Sequence, residues 1–278
     1  NADEGWTRWL LDAYAFPVDT LHDADVRAGV NAGDLGRYDV IVLPDQRPAA
    51  IRNGHAPGTM PPEYVGGLGA EGSAALKRYV EQGGTLVAFD DASDYVIEQF
   101  GLPLRNVVDG VDDEQFFVPG SLLRVAVDTR HPYGFGMADT AAVVFARSRA
   151  FDVVALPESR EGGEELRIEA PAPPVEVVAR YVEDELLASG WALGAQEHLG
   201  GKAALVRVPV GEGSVVLFGF RPQFRGQPRG TYKLVLESHE KGKGTAKLRA
   251  AAFRDRLPDR PRLPNLPENR LVAETLGD

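Results

Sequence analysis

The residues best suited to chemistry fall in two short runs. TLVAFDDASD, residues 85–94, carries an apolar stretch into adjacent carboxylates, Asp90 and Asp91, with Ser93 close behind. GSVVLFGFRPQFRGQ, residues 213–227, climbs to Phe220 and then breaks into Arg221, Gln223 and Arg225. Paired carboxylates do acid–base work when both face one substrate, but neighbours on a strand point to opposite faces. Asp90 and Asp91 therefore serve equally well as a turn cap and as a partner for arginine or backbone. Ser93 would need a sharp elbow and a histidine base to attack; in D-D-A-S-D it reads as the cap of the helix that follows. Arg221 and Arg225 can clamp a carboxylate, or pair with Asp90 or Asp91 and hold the end of the sheet. Two functional readings follow: a hydrolase using Asp90 or Asp91 with His131, and a carboxylate- or sugar-binding module using Arg221, Gln223 and Arg225.

Other chemistries find less support. The chain has no cysteine, which removes thiol redox chemistry, thiolate metal sites and a cysteine nucleophile. Its histidines, at 22, 55, 131, 198 and 239, make neither HExxH nor HxxE spacing, so no metal or cofactor is expected in these residues. Gly66, Gly67 and Gly69 follow a loop rather than a strand, and read as a bend before a helix rather than a phosphate cradle. A net charge of −11 argues against general nucleic-acid binding, which needs a basic face. No apolar run reaches the length of roughly 18 residues that spans a membrane. The opening NADEGW has neither Met nor signal peptide and reads as a fragment, with Asn1 and Ala2 native or an expression scar and any targeting signal upstream.

These runs must be positioned by strands and helices. DEGWTRWLLDAY has helical spacing, and VDTL after Pro17 reads as a short strand. YDVIVLP (38–44) and TLVAFD (85–90) are continuous β-rich runs, as strands buried on both faces require. Residues 45–69 read as a long loop, EGSAALKRYVEQGG as a helix with a Gly stop, and SDYVIEQFG as another helix. This alternation predicts a three-layer, doubly wound, mostly parallel α/β sheet, with ligand sites beyond the carboxyl ends of the strands. Added β-rich segments follow: FFVPGSLLRVAVD, AAVVFARS and VEVVARYV as strands, EDELLASG as a short helix, and KAALVRVPVGEGSVVLFGF as a hairpin turning at GEG. QPRGTYKLVLESHEK closes the domain as a helix. The expected division is an α/β domain over 1–240 and a Pro-rich, charged extension over 241–278. That extension carries more basic than acidic residues, against an acidic body.

Several blocks in order, among them DEGWTRWLLDAYAFP, YVGGLGAEGSAALKRYVEQGGTLVAFDDASD, HPYGFGM, LLASGWALG and LGGKAALVRVPVGEGSVVLFGFRPQFRGQ, resemble the C-terminal domain attached to bacterial zinc carboxypeptidase-like proteins of the carboxypeptidase A family. The resemblance covers about residues 3–240. It implies a fold like class I glutamine amidotransferases, a three-layer flavodoxin-like α/β architecture. Those enzymes carry cysteine at the elbow after a central strand and His-Pro-Glu after a late strand. Here the elbow is Asp90-Asp91-Ala92 and the late strand ends in Arg221-Pro222-Gln223. An arginine cannot shuttle a proton near neutral pH, so the resemblance implies a non-catalytic accessory domain. Its partner would be an upstream peptidase domain of the same chain, holding the zinc, with homo-oligomerisation as a further possibility and a secreted or envelope location. Domains of this type begin with a strand before the D-E-G-W helix; that strand is missing here, so the sheet is expected to lack an internal strand or to fill the gap with another segment.

Overall fold

A computed structural model describes residues 1–32, 35–154 and 174–240. The extension expected at 241–278 lies outside the described residues. Along the chain come helix α1 (Ala2–Ala13), α2 (Asp23–Ala32), strand β1 (Val40–Leu43), α3 (Pro48–Asn53), α4 (Gly69–Glu81), β2 (Thr85–Phe89), α5 (Asp91–Phe100) and β3 (Leu104–Asn106). Then follow β4 (Ser121–Val127), β5 (Thr140–Phe145), β6 (Phe151–Val153), β7 (Glu176–Tyr181), β8 (Leu187–Ser189), α6 (Ala195–Leu199), β9 (Ala203–Val210), β10 (Gly213–Phe218) and α7 (Tyr232–Glu240). Among the described residues no helix is long and apolar enough to cross a membrane.

The ten strands among the described residues join one sheet, whose main path is β1-β2-β10-β9-β7-β4-β5. β1, β2 and β10 are parallel: Val40 pairs with Thr85 and Ser214 with Thr85 on its other side. This is the doubly wound part. The added β-rich segments extend the same sheet, and every pairing beyond β10 is antiparallel. The switch occurs at the β9–β10 hairpin, where Val210 pairs with Gly213 and leaves Gly211 and Glu212 as the turn. Gly211 sits at φ 58°, the positive φ that such two-residue turns demand.

Side-chain alternation along the strands builds two cores. Val87 and Phe89 of β2, with Val216 and Phe218 of β10, face a core completed by Leu10 of α1 and by Leu234 and Val235 of α7. Leu86, Ala88, Val215 and Leu217 face the other way, onto Val26 of α2, Ile51 of α3, Leu76 and Val80 of α4 and Val96 of α5. Helices on both faces make the three layers. β2 and β10 are buried along their whole length, whereas β1 is only partly so, with Ile41 its one fully buried residue.

Several expectations need correction. VDTL is not a strand: residues 16–22 are irregular and have no neighbouring strand to pair with. EDELLASG is not a helix; Leu186 enters the core and Leu187–Ser189 pairs with β4 as β8. The long loop over 45–69 contains α3, opened by Pro48 at the first helical position, and a 3-10 turn at Pro62–Tyr64. The glycines before α4 serve chain crossing: a Cβ on Gly67 would lie 2.5 Å from the Gly54 nitrogen, and the Gly67 carbonyl accepts from Arg27.

Candidate active-site rim

The rim forms where β2 and β10 end side by side. β2 hands over to α5 through Asp90, whose backbone sits at φ 50°, ψ −118°. A non-glycine residue at positive φ is strained, by about 1–3 kcal/mol where the region is sparsely populated. The turn is held by Asp90 N–H donating to Phe218 O (2.9 Å) and Ser93 N–H donating to Asp90 O (2.9 Å). Ser93 does not cap the helix. Its hydroxyl is buried and donates to the Ala88 and Phe218 carbonyls, so it ties together the last turns of both strands. The cap on α5 is instead Asp45, just past β1, whose Oδ1 accepts from Asp91 N–H at 3.1 Å.

Two arginines divide five carboxylates. Arg221 places Nε 3.2 Å from Asp90 Oδ2 and Nη1 3.3 Å from Asp45 Oδ2, with Asp3 Oδ2 at 4.0 Å. Its Nη2 donates to Ala146 O, and its guanidinium carbon lies 4.8 Å from the centroid of the Phe224 ring. Arg149 takes Asp91 at 2.6 Å and Asp94 at 2.8 Å. The adjacent acids at 90 and 91 therefore go to different arginines. Ser148 completes the shell by donating to Asp90 Oδ2 at 2.8 Å.

Charge and burial decide the protonation pattern. Asp90 is 1% exposed; burial, reinforced by the Asp45 charge, holds its carboxyl well above the usual range despite Arg149, Arg221 and Ser148. Burial also pushes Asp45 up to about 6, helped by the Asp91 charge and opposed by Arg221. Asp3 and Asp94 are raised by burial too, against Arg221 and Arg149 respectively. Too few cations for the buried acids, in a dry setting, favours neutral carboxyls.

Gln223 is fully buried and points away from the acids: its Nε2 donates to Thr7 Oγ1 at 2.9 Å and to Asp3 O at 3.4 Å. It pins the segment after β10 to the first turn of α1. Arg225 adopts a left-handed backbone (φ 50°) and stacks on Phe224 at 5.2 Å. Among the described residues four buried polar atoms lack an aligned hydrogen-bond partner, three of them at this rim: Asp90 Oδ1, Arg221 Nε and Gln223 Oε1, the fourth being the Tyr232 hydroxyl.

His131 is not part of this rim. It follows β4, which runs antiparallel to β7, while β7 is antiparallel to β9 and β9 to β10. The end of β4 therefore lies at the opposite end of the sheet from Asp90. There His131 Nε2 meets Glu176 Oε2 at 3.0 Å, and Arg207 meets the same carboxylate at 3.0 Å. His22 packs on Tyr64 and His198 on Phe116. Among the described residues no group of His, Asp and Glu side chains is arranged to hold a metal.

Sequence reasoning brought Asp90, Asp91, Arg221 and Gln223 to one rim and misplaced His131. It missed Asp3, Asp45, Ser148 and Arg149. Asp45 carries the same signal that singled out Asp90, an acid directly after a buried strand; Arg149 sits in an irregular turn between β5 and β6 with no local signal.

No family model matches the chain, and no curated protein matches it. Among solved structures it is similar to a β-galactosidase from Bacillus circulans (12% identity, TM-score 0.48), covering 85% of this chain and 26% of that one. It is also similar to a ThuA-like protein from Bacteroides uniformis (13% identity, TM-score 0.43, 84% and 80% covered). A third is PurLQS from Thermotoga maritima (14% identity, TM-score 0.44, 86% and 92% covered). The chain spans about a quarter of the β-galactosidase it matches. At these values no activity is carried over from any of them.

Proposed function

We propose that this chain is a non-catalytic accessory domain on an amidotransferase-like α/β scaffold, attached to a zinc carboxypeptidase domain that holds the metal. The reading is supported most by the fate of the elbow residue. Asp90 occupies the strained turn after β2, where a nucleophile would stand, yet it is buried, held by Ser148 and Arg221, and favoured in its neutral form. No described histidine side chain reaches it as a proton relay, and an arginine does not shuttle protons near neutral pH. The rim acts as a lock: Arg221 joins the ends of β1, β2 and β10 through Asp45 and Asp90, and Gln223 fastens α1 to them. The parent peptidase rests on the sequence resemblance. The experiment is an amidase and glutaminase assay on the purified chain, where no turnover above buffer is expected. Turnover abolished by Asp91→Asn or Arg221→Met would overturn the reading.

The Asp90 Oδ1 and Gln223 Oε1 atoms, buried without a hydrogen-bond partner among the described residues, favour a second reading, a binding module for a small carboxylate or sugar. Calorimetric titration with acetate and with glucose separates the two. Saturable binding lost in Arg221→Met, with the circular dichroism unchanged, would select the second.

A further inference from the structure

The main path of the sheet ends at β5, the strand furthest from the doubly wound half. Thr140 and Ala142 of β5 are exposed and Val144 is half-buried, while Val143 and Phe145 are buried in the core with Tyr232. Which backbone groups of β5 are open follows from its ladder with β4. Val127 N–H donates to Asp139 O, and the register then runs without a shift from Val125 opposite Ala141 to Ser121 opposite Phe145. Hydrogen-bonded and non-hydrogen-bonded pairs alternate along an antiparallel ladder. Asp139, Ala141, Val143 and Phe145 therefore bond to β4, and the N–H and C=O groups of Thr140, Ala142 and Val144 point away from it. Among the described residues nothing hydrogen-bonds to those groups. The open row ends at Ala146, whose N–H donates to Ser148 Oγ and whose C=O accepts from Arg221.

Edge strands are ordinarily guarded by charge, by proline, by a bulge or by being very short. β3, β6 and β8 are guarded in the last way, at three residues each. β5 has six residues, TAAVVF, with no charge, no proline and no bulge. A straight, apolar, open edge of this length is a template for another strand.

We propose that β5 is a dimerisation edge, which pairs antiparallel with β5 of a second copy about a two-fold axis at Ala142 and joins the two sheets into one. The edge is complementary to itself in three respects. Its open row is Thr140, Ala142 and Val144, with Ala142 at the centre. Antiparallel pairing about that centre sets Thr140 opposite Val144 of the second copy and Ala142 opposite its own equivalent. Every open N–H and C=O of one row then meets an open group of the other, as a closed two-fold contact requires. The side chain at the axis is a methyl group, so the two chains approach without a clash. The charges that flank the row are opposite in sign: exposed Asp139 precedes it and exposed Arg147 follows it. Antiparallel pairing brings Asp139 of each copy toward Arg147 of the other, at diagonal positions within reach of a long side chain. Arg147 meets Asp113 of its own chain at 3.6 Å, with both side chains exposed, a solvated pair that holds the arginine weakly. The contact is independent of what the rim does.

The test is sedimentation of the purified chain from about 1 to 500 μM, a range suited to a small interface, where a monomer–dimer equilibrium is expected. Amide hydrogen exchange at Ala142 and Val144 should be about fivefold or more slower in the concentrated sample than in the dilute one, while Ala141 and Val143, already bonded to β4, should not respond. Ala142→Lys sets like charges directly opposite each other at the axis and should weaken association about tenfold or more. Ala142→Pro removes the open N–H and leaves the β4 ladder intact, so it should do the same. Both variants should keep the circular dichroism of the dilute parent, which separates lost pairing from lost folding. Asp139→Arg should weaken the dimer about threefold, and adding Arg147→Asp should restore it. A chain that stays monomeric at the highest concentration overturns the proposal, as does association that Ala142→Lys leaves unchanged. Amides at 142 and 144 that are already slow in the dilute monomer would overturn it too, by assigning the edge to a segment of the same chain. A double variant that associates no better than Asp139→Arg alone rules out the two-fold register.

Discussion

The two ends of the central strands hold similar groups in opposite electrical states. At the rim, Asp3, Asp45, Asp90 and Asp94 crowd around Arg149 and Arg221, and all four carboxyls are raised. At the far end Glu176 stands between His131 and Arg207. Its partial burial works to raise it, but hydrogen bonds from His131 and Arg207 outweigh this and hold it below the ordinary 4.5. Acids outnumber cations in the first place, whereas in the second a single carboxylate accepts hydrogen bonds from two side chains, and depth amplifies the difference. Two ion clusters on one sheet can therefore have opposite dependence on pH, and counting salt bridges would miss it.

The strongest way to break this comparison is to remove the shared cation at the rim. Arg221→Met should cost about 3 kcal/mol or more, as expected when one partner of a buried pair is lost, read as a drop in the urea midpoint. Asp90→Asn keeps the shape and supplies the neutral group the site already prefers, so it should leave stability unchanged or raise it. Asp90→Asn as harmful as Arg221→Met would show that the rim depends on an ionised Asp90, and the contrast between the two ends would fail.

pH sharpens the comparison with a smaller effect. The folded state raises Asp45 from 3.8 to about 6, so in that interval the native protein binds more protons than the unfolded chain. Stability from this group is full below about pH 4, falls as pH rises to about 6, and is flat above. The shift corresponds to about 2–3 kcal/mol. Melting temperature should therefore rise on acidification from pH 7 to 5, and Asp45→Asn should remove most of that slope. Glu176 has the reverse sign: its contribution is present above the ordinary glutamate value and is lost as pH falls through its lowered one. Glu176→Gln should flatten only the acid limb. His131→Gln is the mildest change, expected within about 1 kcal/mol at pH 7 because the pair is partly solvated; a larger loss would mean that the far cluster holds the sheet as the rim does.

What the sequence revealed follows the range of each signal. β2 and β10 were legible because both are uninterrupted apolar runs, and the strand-end rule carried Asp90 and Arg221 to one place without knowledge of their pairing. β8 was not, because its few residues, ELLASG in context, suit a helix equally well and only β4 alongside decides. His131 was misplaced because the direction of a strand in the sheet depends on long-range pairing that no local window contains. Arg149 was invisible for the same reason: its partners, Asp91 and Asp94, lie more than fifty residues away. Among the described residues β1 pairs on one side only, and no local run in the sequence marks it as an edge.

The seating of β10 between β2 and β9 sets the order of assembly. Ser214 pairs with Thr85, so the centre of the sheet waits for a segment made more than a hundred residues after its neighbour. A nascent chain that has reached only residue 200 holds β1 and β2 as a two-stranded fragment with the β2 flank bare as well as the β1 edge, and the Asp90 turn without the Phe218 carbonyl that secures it. Topology of this kind is slow to close, and the interval between synthesis of β2 and arrival of β10 is when this protein most needs shielding from other chains.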